Sequence, residues 1–61
     1  MTNRELDVLE LLTQRLSNQE IAEKMFVSIT TVKTHLQNIY GKLGVSKRLE
    51  AVEKAKNLRL L

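Results

Sequence analysis

The stretch SITTVKTHLQNIYGKLGV, Ser28 to Val45, decides the fold, because it carries a helix start, a helix stop and two faces of opposite character. Ser28 offers an N-cap hydroxyl, and Val32, Leu36, Ile39, Tyr40 and Leu43 follow at helical spacing until Gly44 supplies a left-handed stop. At about 100° per residue these five side chains form an apolar stripe roughly 100° wide. Thr30, Lys33, Thr34, Gln37, Asn38 and Gly41 fall on the outside, a face with no acid and no large apolar group. His35 lies at the edge of the stripe.

Upstream, Ser17 and Glu20 have the spacing of a capping box and open a short helix, about Asn18 to Met25, whose Ile21, Ala22 and Met25 share a face. Thr2 and Glu5 repeat that spacing at the start of a first helix, about Asn3 to Gln14, with Leu6, Leu9, Leu12 and Leu16 as its expected apolar stripe. Downstream, Ser46 is expected to cap a fourth helix carrying Ala51, Val52, Ala55 and Leu58. There is no proline and no alternating strand pattern, so the fold class is all-α, with four helices in one domain over residues 1–61. A chain this short buries only about 60% of the surface its unfolded form exposes, so its core must be efficient. Without cysteine, neither a disulfide nor a thiolate zinc site can staple it.

Charge is unevenly placed. From Lys24 through Leu49 there are five cations, Lys24, Lys33, Lys42, Lys47 and Arg48, and no carboxylate, so this window carries +5. The flanks hold five cations and all seven acids, a balance of −2 within a formal net charge of +3. A solvated helix face ordinarily mixes signs and pairs Glu with Lys four apart, whereas this one reads as cationic without compensation. Catalysis has no support: Glu20 and Glu23 are explained by the capping box and a helix surface, and His35 has no nucleophile partner. A single histidine and no cysteine leave no metal or cofactor role. The longest apolar runs are two or three residues, far short of the roughly 20 needed to span a bilayer, so no membrane partner is expected. A cytoplasmic location fits the lack of cysteine.

A short helix, a connector of three or four residues and a longer helix form a helix-turn-helix arrangement, with Ala22 small where the helices cross and Met25, Val27 and Val32 filling the angle. Phe26 stands where many such turns have glycine, so mild backbone strain is expected there, with the ring packed inward. The runs LSNQEIAEKMFVS (Leu16 to Ser28) and TTVKTHLQNIYGKLGV (Thr30 to Val45), followed by Arg48 and Ala51-Val52, resemble the output domain of LuxR-type, GerE-like bacterial transcription regulators. The opening T-x-R-E-L-x-V-L from Thr2 to Leu9 and the closing Leu58 to Leu61 are similar to that family's domain boundaries. The resemblance implies sequence-specific binding of double-stranded DNA, with helix three as the recognition helix in the major groove and helix two bracing it.

By that resemblance the base-facing residues are Lys33, Thr34 and Gln37, all of which the helical wheel also places outside the core. Lysine suits guanine O6 or N7, and glutamine can bond adenine bidentately. Phosphate contacts are expected at Ser28, Thr30, Thr31, Asn18 and Gln19, near helix N-termini with free N–H groups, and at His35. Lys47 and Arg48 join them, because cations at the start of helix four oppose the helix dipole unless a phosphate is near; Arg48 could instead brace the fold. Tyr40 is expected in the core with its hydroxyl exposed. The resemblance also implies a homodimer through helix four, at Leu49, Val52, Glu53 and Lys56, reading half-sites about 10 base pairs apart. RNA polymerase is a further expected partner. Most members of the family attach a sensing domain upstream, so the chain reads as a stand-alone regulator or an output domain. About five phosphates neutralised per subunit would give a log–log salt slope near −4 to −5. The rival reading is a protein-interaction module docking an acidic partner, which salt and sequence dependence would separate.

Overall fold

In a computed structural model that describes residues 1–58, the chain forms α1 (Asn3–Thr13), α2 (Asn18–Met25), α3 (Ile29–Leu43) and α4 (Arg48–Asn57), with no strand among the described residues. The closing segment likened above to a domain boundary extends beyond Leu58 and so lies largely outside them. Local chemistry accounts for three of the four helix starts. Thr2 Oγ1 accepts from the Glu5 N–H at 3.2 Å while Glu5 Oε1 accepts from the Thr2 N–H at 2.9 Å. Ser17 and Glu20 repeat the box at 3.2 and 2.9 Å, and Ser28 Oγ accepts from the Thr31 N–H at 3.1 Å. Each satisfies amide donors that a helix start otherwise leaves unpaired. At the other end of α3, Gly44 takes φ 69° and the Val45 N–H closes onto the Tyr40 carbonyl at 3.0 Å.

The helix α3 is central and packs on α1, α2 and α4. Val32, Leu36, Ile39 and Leu43 on its inner side join Val8, Leu9 and Leu12 of α1, Ile21, Ala22 and Met25 of α2, and Ala51 and Ala55 of α4 in one core. Small alanines on α4 let it approach closely. This is the four-helix helix-turn-helix fold that the spacing predicts.

Five local expectations are corrected. Helix α1 stops at Thr13, with Gln14 as its cap and Arg15 left-handed at φ 62°. Its inner stripe runs Glu5, Val8, Leu9 and Leu12, while Leu6 is half-buried and Leu16 packs on the core from beyond the helix end. Ser46 does not cap α4; Lys47 is the N-cap, without a side-chain hydrogen bond. Leu58 is the C-cap and is 53% exposed, because the helix ends before it can turn inward. Phe26 does not pack: it is left-handed at φ 58° and 95% exposed, since reversing the chain between α2 and α3 leaves Val27 to face the core. Left-handed backbone costs a non-glycine residue roughly 1–2 kcal/mol, partly offset in a glycine variant by its greater unfolded-state entropy. Phe26→Gly is therefore expected to stabilise the domain by about 0.5–1 kcal/mol in thermal unfolding, since the ring contributes little burial.

Glu5 is the one buried charged residue of the described chain, 3% exposed, and its Oε1 accepts from Lys42 Nζ of α3 at 2.6 Å. The Lys42 ammonium, then the Thr2 N–H, hold the carboxyl well below its usual range, at about 2 instead of 4.5. A depressed folded-state pKa means the folded protein binds fewer protons than the unfolded chain, so the stabilisation present above about 4.5 is lost as pH falls towards about 2. In melts from neutral to acid pH, the advantage of the parent over Glu5→Gln is expected to shrink across that window. A constant difference would show that the ionised pair contributes nothing.

Candidate nucleic-acid interface

Helix α2, the left-handed turn at Phe26 and helix α3 place the outer side of α3 in solvent. Thr30, Lys33, Thr34, Gln37, Asn38 and Gly41 are all exposed there, and Thr31 and His35 are half-buried at its margins. A Cβ built at Gly41 meets nothing within 4 Å, so the backbone at that point is open to close approach.

The expected base readers differ in what they offer. Lys33 and Gln37 are exposed and make no hydrogen bond within the described protein, and together they line a notch against the starts of α2 and α4. Thr34 faces outward, but its hydroxyl donates to the Thr30 carbonyl at 3.1 Å, leaving its methyl group and an acceptor lone pair for a ligand. Among the expected phosphate contacts, Ser28 Oγ caps α3 and shares a 3.0 Å hydrogen bond with Thr31 Oγ1. Backbone donors at that helix start are what remain for an anion. Gln19 Nε2 makes a long 3.5 Å hydrogen bond to Glu23, and Lys47 is exposed with no partner among the described residues.

Arg48 bridges two elements. Its Nη1 donates to Asn18 Oδ1 at 3.0 Å and its Nη2 to the Leu16 carbonyl, tying the start of α4 to the start of α2. The bracing role is thus filled, and three of the five guanidinium N–H bonds still point elsewhere.

The cationic window is partly compensated, contrary to its reading as a sequence. Glu5, from far upstream, pairs with Lys42, and Lys24 lines a groove with Asp7 and Glu10 of α1. That leaves Lys33, Lys47 and Arg48 as the window's cations that neither make an ion pair among the described residues nor line that groove, although Arg48 also borders Glu20 and Glu53. The signal available for Glu5 was its position on the α1 stripe, four residues before Leu9, where a polar side chain must find a partner.

Along α4, Leu49 is 76% exposed and lines a groove with Arg48, Val52, Glu53 and Lys56, backed by Leu12 and Leu16. The four expected dimer residues therefore share one surface. No helix among the described residues is long and apolar enough to cross a membrane.

The family model described as "Bacterial regulatory proteins, luxR family" matches residues 1–55. The HTH-type transcriptional regulator MalT of Yersinia pestis (strain Pestoides F) is 48% identical over 58 residues, which is 95% of this chain and 6% of that protein. MalT of Serratia proteamaculans (strain 568) shows the same identity and coverage. The chain thus spans 6% of the length of these relatives. Among solved structures, the response regulator ChrA of a heme-sensing two-component system superposes with a TM-score of 0.96 at 48% identity, covering 98% of this chain and 30% of that one. The transcription factor GerE superposes with a TM-score of 0.88 at 34% identity, covering 95% of this chain and 87% of that one.

Proposed function

Since the chain belongs to the LuxR family of bacterial regulatory proteins, a family of helix-turn-helix domains and not of enzymes, we propose that it binds double-stranded DNA sequence-specifically to regulate transcription in the cytoplasm. Helix α3 enters the major groove, Lys33, Thr34 and Gln37 meet base edges, and the ends of α2, α3 and α4 meet phosphates. The observation that carries this reading is the outer face of α3, exposed along its whole length, free of acids and braced from behind by α2. A helix so presented fits the width of the major groove, and its amide, ammonium and hydroxyl groups match the donor and acceptor pattern there.

Two copies joined through Leu49, Val52, Glu53 and Lys56 of α4 would read two half-sites about 10 base pairs apart. The exposed Leu49 supports that surface. RNA polymerase is the further partner of this reading, and the exposed Phe26 ring in the turn offers it an apolar contact.

Selection of preferred duplexes from a random pool tests the reading. The parent is expected to enrich a defined motif, with two copies at one-turn spacing if the dimer forms. Lys33→Ala and Gln37→Ala should each relax preference at one position, lowering discrimination roughly 5- to 150-fold there while the fold persists. Unchanged preferences in both variants, or no enrichment by the parent, would overturn it.

A further inference from the structure

The notch beside the base-reading face contains one polar group that the reading above leaves unused, Tyr40. It is lined by Asn18, Lys33, Leu36, Gln37, Tyr40 and Arg48, without a carboxylate. Leu36 is buried and gives it an apolar wall, which strengthens any charge interaction made inside. Arg48 is held in orientation by Asn18 and the Leu16 carbonyl, with N–H donors to spare. Tyr40 is half-buried, and its hydroxyl makes no hydrogen bond within the described protein. No buried side-chain polar atom there is left unpaired, so that hydroxyl is open to solvent.

A fixed guanidinium and a phenol on a short apolar wall suit a singly charged tetrahedral oxyanion: the cation neutralises it and the neutral hydroxyl donates a second hydrogen bond. Arg48 is anchored at the start of α4, off the outer face of α3, so this pair meets the duplex at its backbone and not at a base edge. We propose that Tyr40 is a DNA-backbone ligand, donating to the same phosphodiester that Arg48 neutralises. The clamp holds α3 in register for Lys33 and Gln37, its neighbours in the notch. The inference rests on the DNA-binding reading and deepens it.

Binding of the full chain to a selected duplex and to a random-sequence duplex, each across a salt series, tests it. Tyr40→Phe keeps the ring, and because the hydroxyl lacks a protein partner its melting temperature should match the parent. Its affinity is expected to fall roughly three- to tenfold on both duplexes with an unchanged salt slope, because the lost donor is neutral. Arg48→Gln should lose affinity and about one unit of slope, and the double variant should lose less than the product of the two, as expected for one shared phosphate. Parental affinity for Tyr40→Phe overturns the proposal, and so does a loss confined to the selected duplex, which would put Tyr40 on a base. Failure of the parent to bind either duplex is a different outcome, and it would remove the DNA reading itself.

Discussion

Raising salt from about 50 to about 200 mM is expected to weaken binding of each subunit to a DNA duplex about 40-fold, with a log–log slope near −3. The value follows from the cations that make no ion pair among the described residues and lie outside the acidic groove along α1. Binding releases roughly 0.9 counterion per phosphate neutralised, and Lys33, Lys47 and Arg48 are the three available. All five cations of the window would give a slope near −4.5 and a loss of about 500-fold over the same range. Lys42 is engaged by Glu5 and Lys24 stands among acids of α1, so neither is counted. Fluorescence anisotropy on a labelled duplex across a salt series separates the two numbers. A slope near zero would favour the protein-interaction reading, and a slope of −4 or steeper would show that DNA draws Lys42 or Lys24 away from its acidic neighbours. Glu5→Gln gives the control: if Lys42 is silent in the parent because of Glu5, the variant should gain up to about one unit of slope.

Ile39→Ala is expected to unfold much of the population near room temperature. Ile39 is fully buried on the helix that touches all three others, so truncation leaves a cavity in the middle of the core. Truncation of a buried isoleucine to alanine costs about 2–5 kcal/mol. A chain of this length has a total stability of only about 3–9 kcal/mol, so the loss is a large share of it. The melting midpoint by circular dichroism should drop by about 15–25 °C, whereas Ile39→Val should cost about 1 kcal/mol and keep the domain folded. An alanine variant melting within a few degrees of the parent would mean that the core around Ile39 is loosely packed.

These two predictions draw on different kinds of information. That Ile39 lies in the core was legible directly, because its neighbours at three and four residues' distance are apolar and a capped helix orients them all. The same holds for the boxes at Thr2 and Ser17, the cap at Ser28 and the stop at Gly44, each made by groups no more than five residues apart. The outward placement of Lys33, Thr34 and Gln37 follows from the same periodicity. Where the local signal was weak, the reading slipped: Ser46 and Lys47 lie next to each other before α4, and only packing decides which becomes the cap.

The electrostatics of the surface were not legible in this way. Glu5 and Lys42 are 37 residues apart, and Arg48 and Asn18 are 30 apart. Neither pairing has a local signature, although the place of Glu5 on the α1 stripe signals that it needs some partner. Phe26 could be recognised as strained, but whether its ring turned inward depended on Val27 claiming the inner position.

The helix starts at Thr2, Ser17 and Ser28, the stop at Gly44 and the apolar face of α3 were thus set by the order of residues, since caps and periodicity act over about one helical turn. Which of the cations stand free, how Arg48 is held and how the notch around Tyr40 is assembled were decided by the tertiary structure alone. Coulomb forces and hydrogen bonds depend on distance in space, and only the packing of α1, α2 and α4 around α3 brings those side chains within reach of one another.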